Sequence, residues 1–370
     1  MSQVVPVEPF PPGEYLQDEL DARNWTQADL AAILGRTRRQ VVNLVSGKSG
    51  ITPEIATLLA DAFGQDAKTW MDLQVSYELA KHAQRDRKTR KRAAMFTKVP
   101  VNAMVRRGWI AEEKNVDRRV ESICEFLRID RIEDEPQLRW AARKSDTYET
   151  VNSAQVAWYF RARQLAECVS VSRYNERQFG DIINSLRSLA ENIADLRRVP
   201  RVLADAGIRF VIVQHLPRSK VDGACIWIGD SPAIAMSLRY DRIDNFWFTL
   251  VHELSHVKHR DESVDVEIME RDEGGLPEHE QRANKEAAEA LVPVEKLDSF
   301  VLRNRPLYYR QRVIEFARAR GIHPGVVVGQ LHHRHEIKHY QLRGLLEKVK
   351  TELVGHALTD GWGDCPAIGA

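Results

Sequence analysis

The chain has 370 residues, with 54 lysines and arginines against 53 aspartates and glutamates and a net charge of +1. That length exceeds one ordinary core and predicts about two to three domains, and the near-neutral balance gives no whole-chain electrostatic case for nucleic acid. No run of roughly 18 apolar residues supports a membrane span, the start at Met1 lacks the basic and apolar segments of a signal peptide, and the expected location is the cytoplasm.

The four cysteines, Cys124, Cys168, Cys225 and Cys365, are far apart and form no C-x-x-C pair. Neither a disulfide framework nor a cysteine zinc site follows. Basic residues gather locally instead. Arg36, Arg38, Arg39 and Lys48 lie near the N-terminus, and a second run extends from Arg85 to Arg92. Such runs form solvated linkers or phosphate-binding arms.

Residues 1–84 read as a domain of five short helices. An amphipathic stretch at 14–23 follows Pro11-Pro12-Gly13. Thr26-Gln27-Ala28-Asp29 is a capping box, with Leu30, Ile33 and Leu34 at helical spacing and Gly35 as the stop. Thr37-Arg38-Arg39-Gln40 is a second box before Val41, Val42, Leu44 and Val45, and Gly47 ends that helix. Thr52-Pro53 places a cap before a proline at the first helical position. A last helix at 67–81 carries Trp70, Leu73, Val75 and Leu79. The helix from Thr37 reads as the second of a helix-turn-helix pair. Its first turn and exposed face offer Arg38, Arg39, Gln40 and Asn43, where arginine suits guanine and glutamine or asparagine suits adenine. Lys48, beside Ser49, stands where a phosphate contact is expected. The implied partner is a double-stranded DNA operator, and two-fold half-sites imply a homodimer.

Residues 85–200 read as a helical linker or scaffold region without a chemical motif. From 209 the period changes, and 209–214, 224–228 and 233–238 are β-rich, with Gly229-Asp230-Ser231-Pro232 as a turn between the last two. A helix then runs to His259, another spans Glu278–Leu291 and stops at Pro293, and helical patterns continue to about Val354. Residues 356–370 show no pattern and read as a disordered tail. The expected fold class is mainly α with a small β-sheet (α+β).

His252-Glu253-Leu254-Ser255-His256 is an H-E-x-x-H sequence. On a helix, positions i and i+4 lie about 40° apart around the axis and one turn up. Both imidazoles can therefore reach one zinc ion, with Glu253 beside them. Zinc lowers the pKa of a bound water toward ~7, and a glutamate so placed takes its proton and returns it to the leaving amine of a cleaved amide. Phe246, Trp247, Phe248, Leu250 and Val251 mark the helix as buried, where polar side chains need partners. A catalytic zinc takes a third protein ligand and keeps an open position. Glu280 on the next helix is the first candidate, with His259, Asp261, Glu262 and Glu278 as rivals. The longer metzincin pattern needs glycine at position 259 and histidine at position 262, which hold His259 and Glu262, so that class is excluded. His332, His333 and His335 read as solvated or phosphate-facing, with lining of the zinc cleft as the alternative.

The run Phe248-Thr249-Leu250-Val251-His252-Glu253-Leu254-Ser255-His256, followed by Glu280-Gln281-Arg282-Ala283-Asn284 and on to Pro293, resembles the ImmA/IrrE metallopeptidases. Their pattern is a phenylalanine-threonine lead into H-E-L-G-H, then a helix of the form E-x-x-A-N-x-F-A-A-x-L-L-x-P. The likeness covers about residues 205–295, and 316–331 is similar to the downstream part of that family's sequences. Two positions depart from the pattern: Ser255 replaces glycine, and Glu286 puts a charge where the family has phenylalanine. Members are often fused to helix-turn-helix domains and are thought to cleave or inactivate repressors, switching on stress or mobile-element genes. The resemblance implies a zincin-like domain at 201–355, one Zn2+ ion on His252, His256 and Glu280, and Glu253 as general acid/base. The N-terminal residues resemble the Cro/C1-type fold, most closely the HigA-type antitoxins, at 47–56 and at Trp70-Met71-Asp72-Leu73-Gln74. Two functions are expected in consequence. One is a zinc endopeptidase acting on a repressor or antitoxin-like protein, its extended substrate held on an exposed strand edge beside the active helix. The other is a HigA-like antitoxin or repressor whose metal is structural or sensory.

Overall fold

The structure, a computed structural model, describes residues 10–83, 87–138, 152–266 and 276–367. Arg85 of the basic run, most of the N-terminal stretch and the last three residues of the tail lie outside them. The chain divides into two compact units, 1–91 and 92–370.

The first unit holds α1 (Pro12–Ala22), α2 (Gln27–Ile33), α3 (Arg38–Val45), α4 (Pro53–Phe63) and α5 (Ala67–Ala83). The caps act as the sequence predicts. The Thr26 and Thr37 hydroxyls accept the backbone N–H of Asp29 and Gln40, whose side chains accept the N–H of each threonine in return. Pro53 opens α4 behind Thr52, and Gly64 closes it in the left-handed region at φ 71°. Leu16, Leu20, Leu30, Val41, Leu59 and Trp70 are fully buried and make the core. Helix α1 meets α3 backbone to backbone: a β-carbon at Gly13 would lie 2.2 Å from the Val45 carbonyl oxygen, so only glycine fits. Thr37→Ala is expected to cost about 1 kcal/mol by orphaning N–H groups at the start of α3. The measurement is the denaturant midpoint of the first unit's transition, which Thr37→Ser should largely restore.

The unit boundary falls within α6 (Arg87–Lys98). Then come α7 (Val101–Arg106), α8 (Val116–Leu127), α9 (Ser153–Glu167), α10 (Phe179–Arg187) and α11 (Val199–Asp205). The sheet and its helices follow as β1 (Arg209–Val213), β2 (Val221–Ile228), β3 (Ser231–Met236), α12 (Ile243–His259), β4 (Ser263–Val266) and α13 (Glu278–Leu291). Helices α14 (Val294–Asn304), α15 (Arg310–Arg318), α16 (Pro324–His333) and α17 (Lys350–Leu353) lead to β5 (Leu358–Asp360). The five strands form one mixed sheet in the order β4-β2-β3-β1-β5. Strand β1 runs parallel to β3 and β5, and β2 runs antiparallel to β3 and β4.

Strand β1 carries Phe-Val-Ile-Val without polar alternation because both its faces are covered. Phe210 and Ile212 join Ile234 and Met236 in the core beneath α12, while Val211 and Val213 join Ala233 and Ala235 in the core beneath α9. Helix α9 is fixed to the sheet by Trp158, whose indole N–H donates to the Val213 carbonyl at 2.7 Å. Residues from 92 to 200, within the stretch expected to be a helical linker or scaffold, thus share a compact unit with the sheet. Apolar strands need a layer on each side, and residues from 92 onward provide one.

The expectation of a disordered tail at 356–370 is corrected over part of its length. Residues 358–360 extend the sheet as β5, pairing Leu358 with Val211 and Asp360 with Val213. A buried charge holds them there. The fully buried Asp360 accepts from Trp109 Nε1 at 2.9 Å and from Arg161 Nε at 2.7 Å. Among the described residues no helix is long and apolar enough to cross a membrane.

Candidate metal centre and nucleic-acid interface

Every residue of α12 from 243 to 257 is buried, between the sheet and helices α13 and α16. An apolar helix surrounded on all sides is the ordinary result of such a sequence, and three functional side chains are carried into the interior with it. His252 Nε2 and His256 Nε2 face each other at 3.1 Å. Glu280 of α13 meets both: Oε2 is 3.3 Å from His252 Nε2, and Oε1 is 3.8 Å from His256 Nε2. The three residues assigned to zinc by the resemblance are thus together. Asp265 of β4 joins them, its Oδ2 3.4 Å from His252 Nε2 and 3.6 Å from His256 Nε2. One donor atom from each of these four residues lies within 4.8 Å of the others. Sequence reading missed Asp265. The only available signal was the alternation Ser263-Val264-Asp265, which sends residues 263 and 265 to one face of a strand.

The donor set fits a divalent ion. Two imidazoles and two carboxylates are zinc-type ligands, and carboxylates buried side by side need a cation. The Nδ1 atoms of both histidines are buried without a hydrogen-bond partner among the described residues. Burial depresses His252, but Asp265 and Glu280 outweigh it and hold the imidazole up at about 10. Asp265 moves well below the usual carboxylate range: burial opposes this, and the bond to His252 and the positive charges of His256 and His252 prevail. Burial and the Asp265 charge push Glu280 up, but bonds to His252 and His279 bring it below its ordinary value.

Glu253 responds oppositely. Burial, followed by the negative charge of Asp265, pushes its carboxyl well above the ordinary value. Its Oε2 lies 3.3 Å from the Ser263 hydroxyl, and its Oε1 is buried without a partner. Strand β2 is bare opposite it: a β-carbon at Gly223 would stand 2.2 Å from Oε1. Glycine in the strand interior is what lets the carboxylate sit against the backbone.

The rival ligands are engaged elsewhere. His259 Nε2 is 3.0 Å from Glu286 Oε1. Asp261 lies 3.7 Å from His256 on the Nδ1 side, away from the converging Nε2 atoms. Glu262 accepts the Trp227 backbone N–H at 3.2 Å, and Glu278 is exposed. His279, unforeseen, stands 3.2 Å from Glu280 Oε1, and this bond, opposed by burial, raises the imidazole.

The two departures from the ImmA/IrrE pattern prove to be partners. The Ser255 hydroxyl donates to Glu286 Oε2 at 2.8 Å, and Lys258 Nζ donates to Oε1 at 2.9 Å. Burial raises Glu286, but His259, Lys258 and Ser255 bring it down to about 2. The charge at the family's phenylalanine position is therefore satisfied. His332, read as solvated, is instead buried, with Nε2 3.0 Å from the Gln341 carbonyl oxygen. Among the described residues, neither it nor His333 nor His335 belongs to the donor cluster.

In the first unit Arg38, Arg39 and Gln40 are exposed on the first turn of α3, Asn43 is half-buried one turn on, and Lys48 is exposed just beyond the helix. Gln40 Oε1 is occupied by the Thr37 N–H at 2.9 Å, leaving its amide nitrogen for a base edge. The Asn43 carbonyl accepts from the backbone of Lys48 and Ser49 at 2.9 and 3.1 Å, which turns this basic loop back toward α3. Arg36 is paired with Glu54.

The helix-turn-helix family matches residues 16–68. The chain is 30% identical over 69 residues to the uncharacterized HTH-type transcriptional regulator YddM of Escherichia coli (strain K12), a match covering 19% of this chain and 73% of that protein. Among solved structures, an addiction module antidote protein of the HigA family from Coxiella burnetii is 28% identical, with 22% of this chain and 91% of that one covered and a TM-score of 0.22. The Pseudomonas aeruginosa antitoxin HigA with the higBA promoter is 35% identical, with 21% and 86% covered and a TM-score of 0.20.

Proposed function

Because the chain belongs, through its N-terminal module, to the helix-turn-helix family, we propose that it is a DNA-binding regulator whose second unit is a zincin-like, zinc-dependent endopeptidase directed at a repressor or antitoxin-like protein. The observation that carries the peptidase half is the convergence of His252, His256 and Glu280 on one point beside the buried Glu253. His252, His256 and Glu280 would hold the ion, which supplies Lewis-acid polarisation and a more acidic water. The remaining work falls to the protein. His279 orients Glu280 through their contact at 3.2 Å. Glu253, seated against the bare backbone of Gly223, takes a proton and delivers it to the leaving amine, a role suited to a carboxyl raised well above its ordinary value. In the first unit Arg38, Arg39, Gln40 and Asn43 read base edges and Lys48 holds a phosphate, with a homodimer matching two half-sites.

A second reading is favoured by one observation: Asp265 brings the protein donors to four, and four protein ligands are the mark of a structural zinc. The chain would then be a HigA-like antitoxin or repressor with a structural or sensory ion. The test mixes the full chain, loaded with one equivalent of zinc, with regulators encoded beside its gene and reads their intact masses. EDTA should stop cleavage and added zinc should restore it. Uncut partners beside a chain that holds its zinc would leave only the second reading.

A further inference from the structure

An extended peptide approaching Glu253 requires a main-chain edge to pair with and a free position on the ion. Strand β4 takes both. It is the terminal strand of the sheet on the β2 side, and it pairs antiparallel with β2, setting Ser263 opposite Cys225, Val264 opposite Ala224 and Asp265 opposite Gly223. Gly223 is the residue whose missing β-carbon admits Glu253. The strand edge expected to be exposed for substrate is thus already covered by the chain itself.

The side chains of β4 complete the obstruction. Around an ion with bonds of about 2.0–2.1 Å, tetrahedral donors stand roughly 3.4 Å apart. Here the two imidazole nitrogens are 3.1 Å apart, Asp265 lies 3.4 and 3.6 Å from them, and Glu280 lies 3.3 and 3.8 Å from them. The protein therefore offers four donors within 4.8 Å of one another, enough to occupy every position of a four-coordinate ion. The Ser263 hydroxyl bridges Glu253 Oε2 at 3.3 Å and Asp265 Oδ2 at 3.0 Å, so one face of the strand engages both the base and the donor cluster. We propose that residues 263–265 are a built-in pseudosubstrate: β4 keeps the centre closed with Asp265 as a removable fourth ligand, and an extended segment of the protein substrate opens it by replacing β4 on the edge of β2. This inference rests on the peptidase reading.

The fold suits a strand that leaves. Among the described residues β4, four residues long, has β2 as its one strand neighbour, and its pairing is interrupted by a register shift between Val221 and Gly223. Its departure breaks no other strand pair among the described residues, and the edge it bares is one that readily accepts another chain.

The test uses the full chain loaded with cobalt(II), with acetohydroxamate as a small ligand for the ion. Wild type, Asp265→Ala and the shape-preserving Asp265→Asn are compared by metal content, visible absorption and far-ultraviolet circular dichroism. Each should hold one cobalt. The hydroxamate should shift the spectrum of Asp265→Ala at concentrations at least about tenfold below those needed for wild type, with Asp265→Asn between them. Should Asp265→Ala fail to fold, Asp265→Asn carries the comparison against the same wild-type baseline. Equal binding by wild type and both variants would overturn the proposal and leave the metal centre standing. So would refusal of the probe by variants that retain cobalt, or loss of cobalt from both variants alone, which would mark Asp265 as a permanent ligand. Absence of cobalt from wild type would instead remove the metal reading beneath it.

Discussion

Glu253→Gln should lower cleavage of the partner protein by about 10²–10⁴-fold, the usual contribution of a positioned general acid/base, while the chain keeps its metal. Glutamine has the shape of the glutamate and fits the space that Gly223 leaves at Oε1. It can still bond the Ser263 hydroxyl, which stands 3.3 Å from Oε2. What it cannot do is carry a proton from water to amine. The converging donors belong to His252, His256, Glu280 and Asp265, so zinc content by mass spectrometry should match wild type, whereas His252→Ala should lose both zinc and cleavage. Cleavage by purified Glu253→Gln at the wild-type rate would sink the assignment. Loss of zinc from it would mean that Glu253 acts as a ligand.

What the sequence made legible was local. The capping boxes at Thr26 and Thr37, the proline at 53 and the turn at Gly229 each encode their geometry within four residues, and each appears in the fold. The H-E-x-x-H spacing likewise guarantees that two imidazoles share a helix face. Non-local pairings were hidden. Strands β4 and β5 are four and three residues long, too short for alternation to stand out. Asp265 earns its place only because β4 returns to β2, 42 positions earlier in chain number at the Gly223 pairing. The Ser255–Glu286 bond spans 31 residues, and the charge at Glu286 had no visible partner until Ser255 was beside it. Helix α9 could be recognised as helical, but a helix buried on most sides offers no single stripe to name the sheet as its partner.

Another non-local pairing sets the largest stability effect. Asp360→Ala should destabilise the second unit by about 3–5 kcal/mol, the range for removing one partner of a buried ion pair. Arg161 and Asp360 have side-chain exposures of 4% and 1% and lie 199 residues apart in the chain. Without the carboxylate, the guanidinium stays in the interior with the Pro366 carbonyl at 2.8 Å as its remaining strong acceptor, and the Trp109 indole N–H loses both of its oxygens. The Arg201–Asp205 pair is a useful contrast, since its side chains are 87% and 72% exposed and such pairs contribute about 0–1 kcal/mol. Denaturant titration of the second unit measures the difference. Hydrogen exchange at Gln214, whose N–H donates to the Asp360 carbonyl at 2.8 Å, reports whether β5 detaches. Replacing both partners, as Arg161→Met with Asp360→Ala, should recover part of the loss because no charge then remains buried. A shift below about 1 kcal/mol for Asp360→Ala would show that water reaches this pair and that β5 is held by its backbone alone. Zinc content should not change in the folded fraction, because β5 closes the sheet at the end opposite β4, and the donors of the metal cluster lie on α12, β4 and α13.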